Sequence, residues 1–102
     1  MMPGKGRYMN KPLLQLFITG LTPRSERAIA NLRRICEEML DGQYEMVIID
    51  VLERPQLAED ERILVTPTLI KPLPLPSRRV IGDLSNLEKV LAELDLLTVN
   101  AT

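Results

Sequence analysis

Histidine is absent from the sequence and cysteine occurs once. Without histidine the chain lacks the commonest general base and an abundant metal ligand, and a lone Cys36 cannot close an internal disulfide. Both absences weigh against an enzyme. Aromatic side chains are equally scarce. Tyr8, Phe17 and Tyr44 are the only three, and none sits in a motif that stacks bases, which argues against nucleic acid as a partner. Charge of one sign is missing too: 13 basic residues face 14 acidic ones, for a net charge of -1, so no polyanion is held by bulk charge. No apolar run approaches the roughly 20 residues of a membrane-spanning helix, and "MMPGKGRYMN" has no apolar core of a signal peptide. A cytoplasmic location away from membranes is therefore expected. A D-x-D-x-D-G calcium loop is also missing, and no metal or cofactor is assigned.

What is present is an ordinary globular composition, 45% hydrophobic and 26% charged over 102 residues, enough for one modest core. Residues 1–10 carry Pro3, Gly4, Lys5, Gly6 and Arg7 without periodicity and read as an arm; residues 11–98 form the domain and 99–102 a short tail. "LLQLFITG" (Leu13 to Gly20) is an apolar run closed by glycine, as expected of a strand buried on both faces. Thr22 as N-cap and Pro23 at the first helical position open a helix. Ala28, Ile29, Leu32, Ile35, Cys36, Met39 and Leu40 give it an apolar stripe, and Gly42 ends it. "YEMVIIDV" (Tyr44 to Val51) is a second strand, parallel to the first because a helical crossover separates them. Pro55 opens a short helix over "PQLAEDERIL", with Leu57 and Leu64 on a common face. "TLI" (Thr68 to Ile70) and "RRVIG" (Arg78 to Gly82) form a terminal hairpin. Ser85 with Glu88 three residues on is a capping box for a last helix with Leu87, Val90, Leu91, Leu94 and Leu97 on its apolar stripe.

The order βαβαββα is that of a thioredoxin-like α/β fold, with Pro67 where that fold places a cis proline. Thiol chemistry in such a fold uses C-x-x-C at the turn into the first helix, one thiolate attacking and the second resolving. Here that turn reads "GLTPRS", and Cys36 lies on the apolar stripe as a core residue. Glu59, Asp60 and Glu61 read as a solvated helix face. Arg78 and Arg79 alternate to opposite faces of an edge strand. They either guard that edge against strand addition or offer planar forks to acidic groups of a partner.

The segments "FITGLTPRSERAI", "VIIDVLERPQLAEDERILVTPTLIKPLPLPSRRVIGDLSNLEKVL" and "LDLL" resemble the KaiB family of circadian-clock proteins, from about Leu13 to Leu97. The most specific part is "P-Q-L-A-E … T-P-T-L … L-P-L-P … R-R-x-I-G-D-L". The resemblance implies a non-catalytic adaptor that docks on a KaiC-type ATPase, in clock or stress signalling, with KaiA and histidine kinases of the SasA or CikA type as further partners. It also implies a metamorphic chain: a βαββααβ ground state assembled as a homo-oligomer, dimer or tetramer, alongside the thioredoxin-like form, with only the C-terminal half refolding. Candidate partner-binding residues are Arg27, Arg62, Arg78 and Arg79; candidate fold-switch positions are Pro67, Pro72, Pro74, Pro76, Glu93 and Asp95. Glu93 stands where the family carries glycine. Since glycine costs a helix interior about 1 kcal/mol, the glutamate is expected to favour the state with a long C-terminal helix. The alternatives are a sensor module of a SasA-type kinase and a thiol oxidoreductase.

Overall fold

Leu14, Leu16, Phe17 and Ile18 are all buried, and a strand shielded on both faces belongs inside a sheet. In the computed structural model, which describes residues 11–96, β1 (Leu13–Ile18) indeed lies between β2 (Glu45–Asp50) and β3 (Thr68–Leu73), and β4 (Arg78–Ile81) completes the order β2-β1-β3-β4. β2 runs parallel to β1, pairing Leu16 with Ile48, whereas β3 is antiparallel, pairing Leu16 with Leu69. β4 closes the hairpin, with Ile70 opposite Arg79 and Lys71 opposite Arg78. The expected arm and tail, and Leu97, lie outside the described residues.

Helices cover both faces. On one, α1 (Pro23–Met39) and α3 (Leu87–Glu93) bury Ala28, Leu32, Ile35, Cys36, Val90 and Leu91 against Leu14, Leu16, Leu69 and Val80. On the other, α2 (Pro55–Asp60) lays Leu57 over Phe17, Ile49 and Ile70. α1 begins as its sequence dictates: the Thr22 side chain accepts from the Ser25 N–H at 3.1 Å, Ser25 Oγ accepts from the Thr22 N–H at 2.7 Å, and Pro23 needs no partner.

Several boundaries differ from the sequence expectation. α2 stops at Asp60 instead of running to Leu64, because Arg62 takes a left-handed conformation (φ 56°) and the Arg62 and Ile63 N–H groups turn back onto the carbonyls of Glu59 and Ala58. This is a Schellman ending. Leu64 therefore leaves the face shared with Leu57 and is 93% exposed. β3 continues through Pro72 to Leu73. The proline is tolerated because the β1–β3 register shifts there, so that Lys71 and Pro72 bulge past Leu14 and no ladder N–H is required. α3 is capped by Asn86, whose side chain accepts from the Lys89 N–H at 3.1 Å. The expected Ser85–Glu88 box does not form, since the Ser85 N–H is turned onto Asp83 Oδ1. Glu93 is the last residue of a short helix, not an interior one, which removes the basis for its expected helix-propensity effect. Asp95 is the left-handed residue (φ 62°) of a second Schellman ending, with Asp95 and Leu96 donating to Ala92 and Leu91.

Leu32 is fully buried, so Leu32→Ala should cost roughly 2–5 kcal/mol of unfolding free energy, measurable by urea titration. Arg62 at φ 56° carries backbone strain, since among non-glycine residues asparagine and aspartate are the ones that enter the left-handed region readily. Arg62→Gly should therefore stabilise the fold by about 0.5–1 kcal/mol, read in the same titration.

Candidate partner-binding site

The C-terminal ends of β1 and β2 open into a groove of about 780 Å³ lined by Thr19, Val51, Arg62, Ile63, Val65 and Thr66 among others. Beside it the Val51 N–H donates to the Ile18 carbonyl at 2.8 Å, and side chains hold the adjoining turns. Asp50 Oδ1 accepts from the Gly20 and Leu52 N–H groups at 3.1 and 2.9 Å, fixing the turns that leave β1 and β2. Thr19 and Thr66 share a hydroxyl hydrogen bond of 2.7 Å across the groove. Thr66 precedes Pro67 across a cis peptide bond, and the Leu73–Pro74 and Leu75–Pro76 bonds are also cis. Leu64 and Val65 line the groove as exposed apolar side chains, and Leu21 and Leu52, in the turns that leave β1 and β2, are exposed as well.

Arg62 closes one side of the groove at a positive φ that glycine would occupy without strain. Arg79 lies close by in the chain's path: its Nη2 donates to the carbonyl of Glu61, the C-cap of α2, at 3.0 Å, a contact that satisfies a free helix-end carbonyl. The two expected faces of the arginine pair are observed. Arg79 shares the α2 face with its ladder partner Ile70, while Arg78 shares the opposite face with Lys71. Both are exposed. Arg27 is not brought to this region. It projects from α1 on the other side of the sheet and pairs with Asp83 at 3.5 Å, while Asn31 Nδ2 donates to the Asp83 carbonyl at 2.8 Å. Bonds from Ser85, together with Arg27 and Arg24, hold the Asp83 carboxyl below its usual range.

Chemistry is sparse at the groove. The turn Gly20–Thr22 carries no thiol, and Cys36 is buried under α1, with its thiol pushed up to about 12 by burial and by the neighbouring Glu37. A thiol held protonated in this way is a poor nucleophile. Among the described residues no cluster of three potential metal ligands occurs, and no helix is long and apolar enough to cross a membrane.

One polar residue of consequence was not legible in the sequence. Lys71, on β3, is 2% exposed, and its Nζ donates to the carbonyls of Pro74 and Pro76 at 2.5 and 3.1 Å. Only its alternation with Leu69 and Val80 on the α3 side could have flagged it. Burial lowers its pKa and Arg78 lowers it further, while Asp95 opposes the shift.

These features define a thioredoxin-like domain with no thiol at the turn into its first helix and a groove at the ends of β1 and β2. The fold resembles the N-terminal domain of SasA from Synechococcus elongatus, with a TM-score of 0.73 and 25% identity, covering 91% of this chain and 89% of that one. It also resembles the Drosophila melanogaster thioredoxin Deadhead, with a TM-score of 0.69 at 13% identity, covering 92% of this chain and 88% of that one. The family is more specific than the fold. The KaiB domain model matches residues 15–96, and the chain belongs to the KaiB family. It is 61% identical over 89 residues to the circadian clock protein KaiB3 of Synechocystis sp., covering 87% of each chain. It is 56% identical over 85 residues to the circadian clock oscillator protein KaiB of Synechococcus elongatus, covering 83% of each.

Because the pKa of Lys71 is depressed in the folded state, the unfolded chain binds more protons in the window between the folded and unfolded pKa values, and stability rises with pH there. Urea titrations across the alkaline range should show the wild type gaining stability relative to Lys71→Met as pH rises towards the ordinary lysine pKa. A flat difference would contradict the burial of a charged amine at this position.

Proposed function

We propose that this protein is a non-catalytic, cytoplasmic KaiB-type adaptor that docks on a KaiC-type ATPase in clock or stress signalling. Its groove, with Arg62 and Arg79 beside it, forms the contact surface. The observation that carries this reading is the groove itself: it holds no thiol, and offers Thr19 and Thr66 hydroxyls, an arginine and the exposed Leu64 and Val65. Exposed apolar side chains next to arginine are the composition of a protein interface. Identity to two circadian clock proteins supports the same reading.

Arg62 adds a physical argument. A non-glycine residue held at φ 56° costs the fold about 1 kcal/mol, and such strain at a groove is retained where the side chain serves a contact. Arg78 projects to the other face and belongs to the contact surface only if the partner wraps the β4 edge. Arg27 is engaged with Asp83 and is left to hold the loop before α3. KaiA and SasA- or CikA-type kinases are further partners in this reading. An oligomeric βαββααβ form would be a second state of the C-terminal half, with Pro67, Pro72, Pro74 and Pro76 at its boundary. The sensor-module reading is favoured by the fold match to the SasA domain, but 61% identity to a clock KaiB outweighs 25% identity to SasA.

Co-purification and calorimetry with a KaiC homologue test the proposal. Arg62→Gly should raise the urea midpoint while weakening binding about tenfold, the loss expected when an interface arginine is removed. Arg79→Ala should weaken binding similarly. Undiminished binding in both variants would sink the assigned surface, and preferential capture of the chain by a kinase bait would favour the sensor reading. Thiol reductase activity that disappears in Cys36→Ser would overturn the adaptor reading altogether.

A further inference from the structure

The connection between β3 and β4 is short of backbone donors. Pro72, Pro74 and Pro76 have no N–H, so between Leu73 and Arg78 only Leu75 and Ser77 can donate from the main chain. A hairpin connection of this composition cannot close itself by ladder bonds, and its inward carbonyls need donors from elsewhere. Lys71 supplies them. Its side chain follows the alternation of β3 to the face that carries Leu69, is 2% exposed, and ends at the carbonyl oxygens of Pro74 and Pro76. Two charge-assisted bonds thus satisfy an ammonium group that would otherwise be buried without partners.

We infer that Lys71 is a positioning residue: its buried ammonium group clamps the Pro74–Ser77 connection from inside and so fixes the path on which β4 presents Arg78 and Arg79. The importance of those arginines rests on the adaptor reading above, whereas the clamp does not. With the clamp in place the leucines alternating with the prolines are turned outward, Leu73 at 53% and Leu75 at 76% exposure, because the inner side of the connection is filled by the lysine. The charged groups that act on Lys71 from neighbouring elements are Arg78 on β4 and Asp95 beyond α3. Their opposite signs leave the carbonyl pair as its direct partners.

The wild-type protein provides the first test. In uniformly labelled protein the Lys71 ammonium group should give a slowly exchanging resonance with through-hydrogen-bond couplings to the carbonyl carbons of Pro74 and Pro76. Lys71→Met keeps the length of the stem and removes all donors. In that variant the backbone order parameters at Leu75 and Ser77 should fall from the rigid range of about 0.85 to below about 0.6, while those of β1 and β2 stay rigid. An ammonium resonance that exchanges like that of a surface lysine, without either coupling, would overturn the inference even if the variant failed to fold. Unchanged order parameters at Leu75 and Ser77 in a folded Lys71→Met would overturn it as well. Failure of the wild type to bind any KaiC homologue would sink the adaptor reading and leave these measurements standing.

Discussion

The double-sided burial of β1 is the constraint on which the remaining architecture depends. Leu14, Leu16 and Ile18 face α1 and α3, while Phe17 faces α2, so the strand must have neighbours on both edges and helices over both faces. Given that, β2 must return in parallel after α1, and the remaining free edge of β1 is available only to β3. Burial of this one apolar hexapeptide therefore determines both the strand order and the location of the groove, which opens where β1 and β2 end.

Around that strand, the connections are held by side chains bonded to backbone. Asp50 holds the exits of β1 and β2, Arg79 the end of α2, Asn31 the loop before α3, and Lys71 the proline connection. The pattern has a common cause. Turns rich in proline and in left-handed residues use up or misdirect backbone donors and acceptors, and each buried polar group left over needs a partner. Residues that a surface view would class as interchangeable polar positions are therefore individually committed.

The element order was legible in the sequence because it is written in strong local signals: the apolar runs of β1 and β2, Thr22–Pro23 at the start of α1, and Pro55 at the start of α2. What failed were features decided by competition or by tertiary contact. Ser85 and Asn86 are both capping residues, and only the position of Asp83 decides between them. Leu64 fits a helical period but is cut off by the left-handed Arg62. Pro72 looks incompatible with a strand until the register shift is known. Arg62 and Arg79 could be nominated as candidates from the family resemblance and their charge, but the pairing of Arg27 with Asp83 on the other face could not be foreseen. Lys71 escaped notice because lysine is almost always exposed, and no local pattern announces a lysine whose acceptors are main-chain carbonyls.

The two ladders of β1 also differ in the length of chain they close. Pairing Leu16 with Ile48 closes a loop filled by α1, whereas pairing Leu16 with Leu69 must close a longer one that also contains β2 and α2. Loop closure becomes costlier as the intervening chain grows, and distant pairings form later for that reason. The β1–α1–β2 unit is thus the template of the molecule. The β3–β4–α3 segment is a late addition, seated on one edge and one face of a strand that is already half paired.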